Sequence, residues 1–83
     1  DETIVFPNPA NNKLTIKYSM NNTERVIFEI VDIVGRQVSY TSTTSNPGVN
    51  NETIDVGHLT NGTYFLQIKE NNHKEILKFS VIK

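Results

Sequence analysis

The 83-residue chain contains no cysteine and no tryptophan. Without cysteine there is no disulfide framework, no thiol nucleophile and no thiolate metal site, so the core must hold the fold unaided. Four glycines lie singly along the chain, which excludes a glycine-rich loop that could cradle phosphate. No apolar run nears the roughly 18 residues of a membrane-spanning helix. Neither sign of charge is in excess: the net charge is −1, with lysines and acids interspersed. A near-neutral chain without a basic stripe gives no reason to expect nucleic acid or an anionic membrane as partner. The length suits one domain and not two. Residues 1–83 read as a single domain, with Asp1-Glu2-Thr3 as the end of a linker. There is no initiating methionine and no signal peptide, which marks the segment as a piece of something larger.

Catalytic constellations are absent as well. The two histidines, His58 and His73, fall in expected loops, and His58 with Asp55 is the nearest approach to a metal pair, short of the three or four ligands a site needs. No serine occupies a G-x-S-x-G elbow, and no EF-hand spacing occurs. The sequence therefore implies no enzyme, no metal and no cofactor. Three N-x-T sequons, at Asn21, Asn51 and Asn61, carry no weight in a chain with eleven asparagines and nine threonines.

What is present is period-two alternation. Asparagine and threonine favour turns and strands over helices. Leu14, Ile16 and Tyr18 alternate with Lys13, Thr15 and Lys17, the pattern of a half-buried strand. Residues 24–33 are the most apolar stretch; Val26, Phe28 and Ile30 face inward, while Ile27 and Val31 suggest cover on the second face also. Further strands are expected over 3–6, 37–44, 52–56, 63–69 and 74–83, with turns at Gly35, around Asn46-Pro47-Gly48, at Asn61-Gly62 and at Glu70-Asn71-Asn72-His73. Seven short strands in so short a chain predict an all-β, seven-stranded antiparallel immunoglobulin-like sandwich, with a small barrel as the alternative. Its expected core is Leu14, Ile16, Val26, Phe28, Ile30, Ile54, Leu59, Tyr64, Leu66, Phe79 and Val81, and Leu77 lies on the register that faces it. Tyr18, Tyr40, Tyr64 and Phe65 could form a sugar-stacking platform, but Tyr18 and Tyr64 lie on the inward register, which favours packing. An adhesive or carbohydrate-binding sandwich module of a secreted protein is the alternative function that such rings would serve.

Four signals follow one another in fixed order: Phe6-Pro7-Asn8-Pro9, Asp32-Ile33-Val34-Gly35-Arg36, Leu59-x-x-Gly62-x-Tyr64, and a closing lysine-bearing strand from Ile76 to Lys83. In this order, over residues 4–83, the chain resembles the C-terminal sorting domain of the type IX secretion system, type A, also called the Por secretion tail. Phe6 fills the aromatic place before Pro7-Asn8-Pro9; Gly35, Arg36, Leu59, Gly62, Tyr64 and Lys78 match recurrent positions of that family. Gln37 departs from it, since an apolar residue often follows the Gly-Arg pair. The resemblance implies an immunoglobulin-like tail behind an N-terminal cargo domain, in a Bacteroidetes-type bacterium. It implies that the cargo reaches the periplasm by an ordinary signal peptide and that the outer-membrane translocon reads the tail. A sortase then removes the tail and joins the cargo to anionic lipopolysaccharide at the cell surface, or the cargo is released. The tail itself would have no activity. Pro7, Asn8, Pro9, Gly35 and Gly62 are turn formers and serve structure at least in part. Lys78 points outward between Leu77 and Phe79, where a lone lysine stabilises little, so it is the candidate for recognition.

Overall fold

The computed structural model describes residues 2–71 and 73–83. Asp1, expected to end a linker, and Asn72, expected in the last hairpin, lie outside the described residues. Seven strands form: β1 (Ile4–Phe6), β2 (Lys13–Met20), β3 (Arg25–Val31), β4 (Gln37–Thr44), β5 (Gly48–Asp55), β6 (Gly62–Glu70) and β7 (His73–Val81). They build two sheets, ordered β1-β2-β5 and β4-β3-β6-β7, with every strand pairing antiparallel. The described residues contain no helix. The all-β sandwich implied by the alternation is the observed fold.

The inner faces supply the core. Leu14, Ile16, Val26, Phe28, Ile30, Leu66, Phe79 and Val81 are essentially inaccessible to solvent, and Ile54, Leu59 and Tyr64 nearly so. Full burial of each such side chain contributes about 1.5–3 kcal/mol relative to exposure. Tyr18 meets Phe28 edge to face at 5.4 Å between centroids, and Tyr64 stacks on Phe79 at 5.9 Å. Both tyrosines are thus packing residues.

The differences from the sequence reading have physical causes. Leu77 is half-buried rather than buried. It stands on β7, a margin of the four-stranded sheet, and the opposing sheet is one strand narrower. The inward residues of β4, the other margin, are half-buried for the same reason. β5 begins at Gly48, not at Glu52, because Val49, Asn50 and Asn51 pair with Ser19, Tyr18 and Lys17; that half of the strand is too polar to alternate. β3 ends at Val31, where a register shift opposes Ile30 to Ser39 and Val31 to Gln37. The extra residue, Val38, packs on the core while Gln37 stays exposed. An apolar residue one place later thus does the packing expected after Gly35-Arg36. β3 is interior to its sheet, but Ile27 and Val31 are only half-buried: among the described residues no second layer covers the outer face of that sheet.

Candidate functional site

The strand registers bring all four sequence signals to one end of the sandwich. β6 starts there, with Gly62 opposite Val81 at the end of β7, and β3 ends there, with Val31 opposite Phe65. The Pro7-Asn8-Pro9 segment leaves β1, in the narrower sheet, and reaches across to the other. Both of its X-Pro bonds are cis. A segment with two prolines cannot donate a full ladder, so the Asn8 side chain makes one of the bonds and the backbone of Ala10, just past Pro9, makes the next two. Asn8 Oδ1 accepts from Ser80 N–H at 3.0 Å. Ala10, fully buried, donates to the Ser80 carbonyl (2.8 Å) and accepts from Ile82 N–H (2.9 Å), forming a parallel bridge with Val81. The first signal thus closes the free edge of the last strand and ties the two sheets together.

The second signal is a turn fixed by one carboxylate. Asp32 Oδ1 accepts from Val34 N–H (3.0 Å) and Arg36 N–H (2.9 Å), and Asp32 Oδ2 accepts from Arg36 Nε (2.9 Å). Two backbone bonds, Gly35 N–H to Asp32 O and Asp32 N–H to Arg36 O, close the loop. Gly35 sits at φ +89°, where a side chain is strained. The Arg36 N–H, with help from its guanidinium and from Val34 N–H, holds the Asp32 carboxyl below the usual carboxylate range. The turn displays Ile33 and Val34 to solvent at 74% and 73% exposure.

The third signal is anchored by Leu59 and Tyr64, both buried. The Tyr64 hydroxyl donates to the Thr60 carbonyl at 2.7 Å, a return contact of the kind seen in tyrosine corners. Gly62 has φ +159°, at the extended edge of the positive range, and an added Cβ would meet only the Tyr64 ring at 3.9 Å. Its need for glycine is milder than that of Gly35, and the site is not crowded. Just upstream, Asp55 Oδ1 accepts from Gly57 N–H at 2.8 Å, which together with nearby Lys13 lowers the Asp55 carboxyl.

The fourth signal closes the end. Lys83 Nζ donates to the carbonyls of Asn11 (2.5 Å), Val56 (3.2 Å) and Gly57 (3.1 Å), and its N–H donates to Asn61 Oδ1 (2.9 Å). Lys78 is exposed, as its register requires, opposite Phe65 on the outer face of the four-stranded sheet. Phe65 is half-buried there. Of the candidate residues, Pro7, Asn8, Pro9, Gly35, Arg36, Leu59, Gly62 and Tyr64 gather at this end; Lys78 lies beside it on the sheet face. Asp32, Asn61 and Lys83 are the organising residues that sequence reasoning did not single out. For Asp32 a signal existed, an Asp two and four residues ahead of the N–H groups it caps, the arrangement of an Asx turn.

Between the second and third signals runs an open cleft of about 540 Å³, walled by Val34, Arg36 and Val38 on one side and by His58, Leu59 and Tyr64 on the other. His58 and Asp55 gain no third ligand: among the described residues no group of three His, Asp or Glu side chains is placed to hold a metal. Nor do the four rings form one platform, since Tyr18 and Tyr64 are buried while Tyr40 and Phe65 lie on the outer face. No helix of the described residues is long and apolar enough to cross a membrane.

A search of curated proteins returns no match to the chain. Residues 4–83 do match the family described as the secretion system C-terminal sorting domain, the Por secretion tail. That span covers all four signals and both sheets, and the chain belongs to this family of type IX sorting domains.

Proposed function

We propose that this domain is the address of a larger cargo protein: residues 4–83 are read as a folded unit by the type IX outer-membrane translocon, and residues 1–3 end the linker to the N-terminal cargo domain. Membership of the sorting family supports export across the outer membrane toward a secreted or surface location. The observation that carries the reading is the convergence of the four signals on one end of the sandwich. Their side chains and backbone cap, brace and close that end. After passage, a sortase removes the tail and attaches the cargo to the surface, or the cargo is released. Lys78, exposed beside Phe65 on the outer face of the four-stranded sheet, contributes a contact to the machinery. The domain has no activity and no cofactor of its own. An adhesive or carbohydrate-binding role would want a shared aromatic face, which the split of the four rings does not supply.

Fusing the domain to the C-terminus of a periplasmic reporter is expected to send the reporter across the outer membrane of a type IX-competent host. Removing residues 77–83 should abolish export by opening the core at Phe79 and Val81. Lys78→Ala should leave the melting temperature unchanged, within the roughly ±0.5 kcal/mol usual for outward positions, and lower export. Full export of Lys78→Ala removes Lys78 from the recognition surface. Retention of the intact fusion in the periplasm, while the host exports its own cargo, overturns the sorting role.

A further inference from the structure

Lys83 follows β7 and carries an ammonium whose whole donor capacity is taken up by backbone. An ammonium has three N–H donors. Lys83 Nζ directs them to the carbonyls of Asn11 at 2.5 Å, Val56 at 3.2 Å and Gly57 at 3.1 Å. Those oxygens stand together because the neighbouring N–H groups are used elsewhere. Gly57 N–H donates to Asp55 Oδ1, Val56 N–H to the Asn12 carbonyl and Leu59 N–H to the Val56 carbonyl. The β1–β2 and β5–β6 connections thus turn oxygen, not N–H, toward one point. Asp55 adds negative potential nearby; its carboxyl is held low first by the Gly57 N–H, then by Lys13, and further by His58 and Lys83. The root of the Lys83 side chain is pinned as well. Its N–H donates to Asn61 Oδ1 at 2.9 Å, which lowers the entropy still to be lost when the long stem is ordered.

We infer that these three carbonyls form a binding site for one primary ammonium group, and that Lys83 fills it in cis and so latches the signal end. The latch spans the sandwich. Asn11 leads into β2 and Val56-Gly57 leaves β5, both of the narrower sheet, whereas Lys83 follows β7 of the other. A charge-assisted set of hydrogen bonds therefore joins the two sheets beside the bridge at Ala10. The class of ligand follows from the donors. A guanidinium holds its N–H groups in one plane as a rigid fork, so it cannot aim three of them from a single nitrogen at three oxygens around it. A quaternary ammonium and an alkali cation have no N–H to aim. The site stands apart from the sorting reading. On that reading it separates the two lysines of the closing run: Lys83 is committed to the fold, and Lys78 is the one displayed on the sheet face.

The test compares the unaltered domain with Lys83→Met and Lys83→Arg by thermal unfolding. Each is measured with ethylammonium, tetramethylammonium or potassium chloride at matched concentrations. Methionine keeps most of the stem and removes the donors. Lys83→Met should raise the unfolding equilibrium constant about tenfold, the net loss expected of a charge-assisted hydrogen bond. Ethylammonium should restore Lys83→Met progressively with concentration, as mass action requires, and leave the unaltered domain, whose site is filled, unchanged. Tetramethylammonium and potassium should not restore it, and Lys83→Arg should unfold with Lys83→Met. A second measurement needs no variant: by NMR, the Lys83 ammonium protons should exchange with water more slowly than those of exposed Lys17. Equal restoration by potassium or tetramethylammonium, or a Lys83→Arg domain as stable as the unaltered one, overturns the assignment to primary ammonium. Lys83 ammonium protons that exchange as fast as those of Lys17, or a Lys83→Met domain that unfolds with the unaltered one, overturn the latch itself.

Discussion

Ser45 is the buried polar residue of the described chain, with no accessible surface. Its hydroxyl accepts from Glu24 N–H at 3.3 Å and lies within reach of the carbonyls of Asn22 (3.2 Å) and Glu24 (3.1 Å), either of which can take its proton. Its own N–H donates to Glu24 O at 2.9 Å. Ser45 therefore ties the entry of β3 to the exit of β4 at the end of the sandwich opposite the signals. Removing a hydroxyl that satisfies buried backbone groups leaves them unpaired, which costs about 1–3 kcal/mol. Ser45→Ala should destabilise by that amount in urea unfolding, whereas Ser42→Ala, at an exposed side chain bonded to Arg25, should change little; equal effects would show that the clamp carries no energy. Nothing in the run Ser39 to Ser45 distinguishes this serine by sequence, because the same residue type serves exposed strand positions and a buried clamp. Tyr64 was legible, since its register fixes its face. Asp32 was visible as part of a signal, but its capping role depends on a turn geometry that residue identity alone does not specify.

At the scale of elements, alternation located every strand, and it did so best where one face is fully covered. β2, β3 and β6 are flanked on both sides within their sheets, and their inward apolar residues are buried throughout. The marginal strands were read less well, since partial cover weakens the demand for apolar residues on the inner face. The same gradient makes a stability prediction. Leu66, on interior β6, is fully buried, whereas its cross-strand neighbour Leu77 on β7 is half-buried. Leu66→Ala should cost about 2–5 kcal/mol through lost transfer energy and a cavity, and Leu77→Ala distinctly less, as read by chemical denaturation midpoints. A larger loss at Leu77 would mean that the margin, not the interior, limits stability. The pairing of strands was not legible from alternation. It follows from which edge each connection reaches, and the decisive connection is the segment through Asn8 and Ala10, whose hydrogen bonds to Ser80 and Ile82 join positions some seventy residues apart.

At the scale of the whole molecule, the charges oppose one another along the pH axis. Asp32 and Asp55 are both held below the usual carboxylate range, chiefly by the N–H groups of Arg36 and Gly57. A depressed carboxyl stabilises the fold above the unfolded value of about 3.9, and that contribution is lost as the pH falls below it toward the folded value. Glu70 behaves in the opposite sense: burial raises its carboxyl, with Glu24 and Glu75 adding to the shift and His73 opposing it. Its charged form destabilises the fold near neutrality, and that penalty is relieved as the pH falls through the raised folded value toward the unfolded value of about 4.3. Thermal unfolding followed by circular dichroism should therefore show a melting temperature that rises slightly on mild acidification and then drops below about pH 4. Glu70→Gln should remove the rise, and Asp32→Asn should shallow the drop. The drop would also loosen the turn that displays Ile33 and Val34, so the two ends of the sandwich respond to acid with opposite sign: the Glu70 hairpin tightens while the signal end relaxes. A melting temperature that falls monotonically from neutral pH, with Glu70→Gln indistinguishable from the unaltered domain, would show that Glu70 is not held by burial.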